Sequence, residues 1–300
     1  MSRVLHERDL SLGVVLTNYE TWELTRRCLD AVARFTGAGD VVVVDDASKA
    51  SPPPELDGLA RVLVNPTNLG LVRSLNRGVS ACAAEIVVLF DSDAYPLAEF
   101  GAPLREAFAA DPQLALVGFT TVGAGGRPTA SSEEEPDVLG LVLGQRLDAL
   151  RRRLRRRRPA GERFSVFTCA MAVRREAFFA VGGFDEEFDW LDLDHDLSIR
   201  LRRAGWRLAV DPRLLAFHEG GGAPQRTGER VARYHRNRWL LLRKHGKLKH
   251  PRLARSLIAA RLAAEWAALA AARGLRPRSL RLADALAGRR RALIECLGSK

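Results

Sequence analysis

The chain is predicted to fold as an α/β protein, a mostly parallel sheet flanked by helices, on three observations. Short apolar runs rich in β-branched residues recur through the first hundred positions, helical patterns separate them, and polar residues cluster directly after each run. Leu12 to Leu16, Val41 to Val44, Arg61 to Val64 and Ile86 to Phe90 are the runs. Residues apolar on both faces suit parallel strands covered by helices on both sides. Leu24, Cys28, Leu29, Val32 and Phe35 then follow a period near 3.6 after Thr21, a predicted helix cap. Leu71, Leu75, Val79 and Cys82 do the same after Asn68-Leu69-Gly70. The order is therefore β-α-β-β-α-β with right-handed crossovers, the outline of a nucleotide-binding half-sheet.

The strand ends carry the chemistry. The first run ends in Thr17-Asn18-Tyr19, the second in Asp45-Asp46, the third in Asn65-Pro66 and the fourth in Asp91-Ser92-Asp93. Open α/β sheets bind ligands beyond the carboxyl ends of their strands. Residues i and i+2 of an extended chain point the same way, so Asp91 and Asp93 can face one cation. A hard divalent ion takes one or two carboxylates and fills its shell with water and phosphate oxygens. A solvated turn or a helix cap is the plainer alternative for any single Asp-x-Asp.

Further motifs follow in a set order. They are Val44-Asp45-Asp46-Ala47-Ser48, Asn68-Leu69-Gly70 with Asn76 and Gly78, Asp91-Ser92-Asp93, Gly182-Gly183-Phe184-Asp185-Glu186, Asp194-His195-Asp196-Leu197-Ser198-Ile199-Arg200, and Gly205-Trp206. From about Leu12 to Gly246 the chain resembles the inverting family-2 glycosyltransferases of the GT-A fold, with the lipopolysaccharide-type and rhamnosyl-transferring branches most similar.

That resemblance implies roles, residue by residue. Thr17 and Asp46 would hold the nucleobase, a carboxylate being suited to accept from a ring N–H; the alternative for Asp46 is a turn-capping role helped by Ser48. Asn68 and Asn76 would bind nucleotide or brace the loop. Asp93 would ligate Mn²⁺ or Mg²⁺, Asp91 would hold the ribose or assist the metal, and His218, opening Glu219-Gly220-Gly221-Gly222, would join them. Asp194 would act as the base that takes the acceptor's proton, with Asp192 as its rival and Asp196 as the helix cap. Leu193 stands where the common pattern has a glutamate, which is what keeps Asp192 in contention.

Composition sets the remaining expectations. The 300 residues are 47% hydrophobic, enough for one large α/β domain with an appendage. Cys28, Cys82, Cys169 and Cys296 show neither paired nor metal-ligand spacing and read as free thiols of a reducing, cytoplasmic compartment. The N-terminal residues hold no apolar stretch of signal-peptide length, and no run approaches a membrane span. The net charge of +11 is asymmetric: from Arg226 onward twenty Lys and Arg face four Asp and Glu, a net +16, leaving −5 on residues 1–225. A GT-A domain is expected over 10–250, with a nucleotide-sugar half at 10–120, a basic insertion at 123–163 and an acceptor half at 164–250. A basic helical tail is expected over 251–300.

Ile258, Leu262, Trp266 and Leu269 form an apolar stripe suited to an interfacial helix on anionic lipid, or to packing against the catalytic body. The run Arg151 to Arg158, broken only by Leu154, lacks aromatic interleaving, so phosphate-rich acceptors or a membrane surface fit it better than nucleic acid. The expected activity is metal-dependent sugar transfer from a UDP-, dTDP- or GDP-sugar to a hydroxyl of a glycan or lipid-linked acceptor, in cell-surface polysaccharide assembly. The alternative is a catalytically silent binding or scaffold protein of the same fold. A sugar-phosphate nucleotidyltransferase would need a Gly-rich basic loop after the first strand, and Thr17-Asn18-Tyr19-Glu20 is not one.

Overall fold

The computed structural model describes residues 10–36, 38–154, 164–218, 227–275 and 279–298. The later part of the arginine run (155–158) and the glycine-rich stretch 219–222 lie outside them. The chain runs β1 (Leu12–Asn18), α1 (Trp22–Phe35), β2 (Asp40–Asp45), β3 (Arg61–Val64), α2 (Leu71–Ala81), β4 (Ile86–Phe90), β5 (Ala94–Pro96), α3 (Gly101–Ala110) and β6 (Leu114–Val122). It continues through β7 (Pro128–Thr129), β8 (Ser132–Glu134), α4 (Val138–Leu143), α5 (Gln145–Leu154), β9 (Phe164–Val166), β10 (Ala170–Arg174) and α6 (Arg175–Ala180). It ends with α7 (Leu193–Arg203), β11 (Arg207–His218), α8 (Thr227–Lys244), α9 (Pro251–Leu275) and α10 (Leu280–Gly298).

Two compact units result, 1–133 with 164–222, and 134–163 with 223–300. Residues 134–163 of the expected insertion and the tail thus belong to one helical unit, while 123–133 stay with the α/β unit, and α8, expected inside the catalytic domain, joins the tail. Sequence adjacency could not reveal this, because the insertion and the tail are far apart in the chain.

The α/β unit is built on the sheet order β3-β2-β1-β4-β10-β6-β11-β5, with β7 on β6. The first four strands are parallel, as their two-sided apolar character requires. β10 enters antiparallel between β4 and β6, and β11 runs parallel to β6 with a shift between Asp211 and Leu215. Thr17 pairs with Val44 and Leu16 with Phe90, so β1, β2 and β4 all end at one edge of the sheet. β5 returns antiparallel on β11 with Ala94 opposite His218.

Beneath that edge Phe90, Phe100 and Phe119 pack edge-to-face, with ring centroids 5.3–5.9 Å apart, and all three are buried. Each such pair contributes about 0.5–1.5 kcal/mol beyond its area. Phe90 is the last residue of β4, so the cluster holds the point from which Asp91 leaves the sheet.

α2 presses on β1 through Gly78, where a Cβ would meet Val15 Cγ1 at 2.4 Å and Val44 Cγ2 at 3.2 Å. Val15 is fully buried and β-branched, so it cannot swing aside. A Gly78→Ala variant is expected to unfold at lower urea with a net loss of about 1–2 kcal/mol, the clash outweighing the ~1 kcal/mol that alanine adds to helix propensity. Unchanged or raised stability would show that β1 and α2 can separate without cost.

Candidate active site

At the shared edge of the parallel strands, the first layer is a hydrogen-bonded frame of Asn18, Asp45 and Ser48. Asn18 Nδ2 donates to Asp45 Oδ1 at 2.6 Å and to Ser48 Oγ at 3.1 Å, while its Oδ1 accepts from Thr25 Oγ1 at 2.8 Å and Thr21 Oγ1 at 3.1 Å. Ser48 Oγ and backbone N donate to Asp45. Thr21 is the N-cap residue of α1 but makes no side-chain cap bond, its hydroxyl being spent on Asn18. Thr17 lies one residue earlier on β1 and is half-buried.

Asp46 is nearly buried and already holds the loop that leads into α2. Its Oδ1 accepts from Asn65 Nδ2 and Leu69 N, each at 2.7 Å, and its Oδ2 from Gly70 N at 2.9 Å. A carboxylate has about four acceptor positions, so one remains for a ligand. The loop-bracing role is present in the fold, and any contact with a base would be additional to it. Gly70, at φ +88°, makes the turn that aims its N–H at Asp46. Asn68, on the same loop, is exposed.

Asn76 binds protein at both ends. Its Nδ2 donates to Phe184 O and its Oδ1 accepts from Phe184 N, both at 2.9 Å, tying α2 to the Gly182-Gly183-Phe184 turn. This is the loop-bracing alternative. Asn18, Asp45 and Asn65 carry no role assigned from sequence; a polar residue at the last position of an apolar strand, or directly after it, is the available signal.

The second layer is acidic. Asp91, Asp93 and His218 offer ligand atoms all within 4.8 Å of one another, with His218 Nε2 3.6 Å from Asp93 Oδ1. The β5–β11 register creates this arrangement by setting Ala94 opposite His218. Burial pushes the Asp91 carboxyl up to about 6, the negative charge of Asp93 adds to the rise, and His218 opposes it. Two carboxylates and an imidazole crowded together form a donor set that suits a divalent cation. Among groups of three or more His, Cys, Asp or Glu in the described residues, this set alone has metal-binding spacing.

Cys169 lies under the same edge: its carbonyl accepts from Asp91 N at 3.2 Å. Its thiol is pushed far up by burial and then by the charges of Asp91, Asp194 and Asp93.

The three aspartates at the start of α7 take different positions. Asp192, in the left-handed conformation at φ +65°, is the N-cap residue of α7, although its side chain makes no cap bond. It is nearly buried and 3.9 Å from His195 Nε2, which also lies 3.8 Å from Glu133 Oε2. Asp196, expected to be the cap, is fully buried and accepts from Arg200 Nε at 2.7 Å instead. Arg200 in turn donates to Val181 O and Gly183 O, each at 2.6 Å, so Asp196 anchors α7 to the double-glycine turn. Asp194, in the first helical turn, is the half-buried one, and its Oδ1 accepts from His195 N at 2.8 Å.

Comparison with known proteins agrees with this geometry. Residues 13–181 match the model of glycosyl transferase family 2. The fold resembles GalNAc-T7 solved with UDP, GalNAc and Mn²⁺ (TM-score 0.57, 18% identity, 78% of this chain and 48% of that one). It also resembles the mannosyltransferase PcManGT from Pyrobaculum calidifontis, solved with GDP-Man and Mn²⁺ (TM-score 0.57, 19% identity, 97% of this chain and 88% of that one). S. aureus TarS is similar at TM-score 0.51 and 16% identity, over 84% of this chain and 40% of that one. The chain thus spans about half the length of GalNAc-T7. No curated protein matches it by sequence. Because the family match runs from β1 through α6, over more than half of the chain, this protein belongs to glycosyl transferase family 2.

Proposed function

We propose that this chain transfers a sugar from a nucleoside-diphosphate sugar to an acceptor hydroxyl, inverting the anomeric centre in one displacement. The observation that carries this reading is the meeting of Asp91, Asp93 and His218 at the carboxyl-end edge of a family-2 sheet. Mn²⁺ or Mg²⁺ held there would neutralise charge on the leaving diphosphate. The neighbours solved with UDP or GDP-Man and Mn²⁺ support such a donor and metal.

Each residue then has one task. Thr17 and the free acceptor position of Asp46 receive the nucleobase, and Asn68 on the exposed loop borders it. Asp93 and His218 would ligate the metal, and Asp91 would hold the ribose or assist the metal. Asp194 takes the acceptor's proton, since it is half-buried while Asp196 is committed to Arg200. Asp192 is the alternative base. The motif set favours a polysaccharide or lipid-linked glycan as the acceptor, in the manner of the rhamnosyl-transferring branch.

The helical unit adds a location. It carries 29 Lys and Arg against 9 Asp and Glu, while the α/β unit carries 18 against 27. Among the described residues no helix is long and apolar enough to cross a membrane. Ile258 and Leu262 of the expected interfacial stripe are buried in the core of the helical unit, leaving Trp266 exposed. We therefore infer electrostatic attachment to an anionic membrane surface without insertion of that stripe.

Two outcomes are expected. With UDP-, dTDP- and GDP-sugars and Mn²⁺, Asp93→Ala should lose metal-dependent nucleotide release. Asp194→Asn should lose transfer by about 10²-fold or more while keeping donor affinity; full activity in Asp194→Asn with loss in Asp192→Asn would move the base to Asp192. A silent scaffold protein would release no nucleotide with any donor.

Metal affinity should depend on pH in a definite direction. Below about pH 6 Asp91 carries a proton in the metal-free protein, which a cation must displace. Calorimetry should show Mn²⁺ affinity falling by up to about tenfold per pH unit as pH drops below 6 and levelling above it. An affinity flat from pH 5 to 7 would count against Asp91 as part of the site.

Finally, the intact chain should sediment with phosphatidylglycerol vesicles at low salt and leave them near about 0.5 M salt, where screening shortens to a few ångströms. Equal binding to neutral vesicles would exclude an electrostatic mode.

A further inference from the structure

The helical unit contains a cavity of about 250 Å³ that the transfer reaction does not use. All of its lining residues belong to that unit: Leu141 from α4, Trp239 from α8, Arg255 and Ile258 from α9, and Ala292 and Glu295 from α10 among them. Leu141, Ile258 and Ala292 are buried, and Trp239 is half-buried. An apolar cavity of about 150 Å³ already admits benzene, so this volume accepts a longer hydrocarbon.

The polar groups on the wall differ in how they are engaged. His235 is held neutral: burial pushes it down to about 4, its Nδ1 is 2.8 Å from Val231 O, and Arg261 approaches its Nε2 at 2.7 Å. Arg261 is itself paired with Glu265, which Arg289 also contacts at 3.1 Å. Arg255 is the exception. Its guanidinium lies over the Trp239 ring, 5.0 Å from the centroid, and among the described residues no carboxylate pairs with it. Stacking on an indole stabilises a cation without using its N–H donors, which stay available to an anion. Arg236 lies on the same wall, so the lining sets two arginines against the one carboxyl group of Glu295, with His235 neutral.

From this pairing of an apolar chamber with a half-buried, stacked arginine, we infer a second binding site, for a single-chain amphiphile with an anionic head. The hydrocarbon lies among Leu141, Ile258 and Ala292, and the phosphate or carboxylate head is held by Arg255. Charge complementarity chooses this occupant over a neutral lipid, since the surrounding unit carries an excess of twenty positive charges. The site does not depend on the transferase reading, and its test needs no activity.

The test is calorimetry on the full chain at about 150 mM salt with monomeric decyl phosphate, beside inorganic phosphate and decanol, each with thermal melting as a control. Decyl phosphate should bind once per chain and saturably, and more tightly than either fragment. Arg255→Ala should weaken it about tenfold or more, the usual scale for a lost hydrogen bond to a charged group, without weakening decanol. Ala292→Leu, which fills the chamber and leaves Arg255 in place, should weaken decyl phosphate and decanol together. Inorganic phosphate binding as tightly as decyl phosphate would reduce the site to surface charge and overturn the proposal. Decanol matching decyl phosphate, with no effect of Arg255→Ala, would overturn the anionic preference. Decyl phosphate binding that survives Ala292→Leu in a normally melting protein would remove the cavity from the account.

Discussion

The pairing of β4 with β1 on one side and β10 on the other governs the site. Every residue of β4 is buried, and its last one, Phe90, is clamped by Phe100 and Phe119. The chain can therefore leave the sheet only at Asp91, at a level set by the Leu16–Phe90 and Ala170–Phe90 registers. A one-residue slip would turn the apolar set to the wrong face, so the position of the acidic pair is protected by the whole core. His218 reaches it because β11 pairs with β5, the short strand that follows Asp93.

Crowding carboxylates at that edge opposes folding, and the structure offsets it in two ways. Some acids are satisfied within the protein: Asp45 by Asn18 and Ser48, Asp46 by two backbone N–H groups and Asn65, and Asp196 by Arg200. The others, Asp91 and Asp93 with His218, form a set whose mutual repulsion a divalent cation would relieve. This division separates acids whose oxygens are engaged by the protein from the cluster that a cation would satisfy. It also explains three aspartates within five residues having three environments at the start of α7.

Charge is divided between the units as well. The α/β unit has an acidic excess and the helical unit a large basic one, so the carboxylates at the strand ends and the basic excess lie in different units. In the helical unit α8 and α10 approach so closely that a Cβ on Gly288 would meet Gly228 Cα at 2.2 Å. Contact of this kind suits a packed bundle, and Ile258 and Leu262 of α9 are buried as well.

The β-α-β-β-α-β order, the strand ends and the acidic pair after β4 were all readable in the amino-acid sequence, because β-branched apolar runs and helical periodicity are local properties that burial on both faces imposes directly. Residue type at a strand end is also local, so Asp91 and Asp93 could be singled out before their positions in space were known, and His218 through the family resemblance. Tertiary structure alone decided what each polar group touches. Asp46 and Asn76 are held by backbone atoms of segments distant in the chain, and Asp196 is turned from cap to ion-pair partner by Arg200 and the double-glycine turn. The merging of the insertion with the tail, and the cavity within that unit, likewise depend on contacts between segments about a hundred residues apart, which no local pattern encodes.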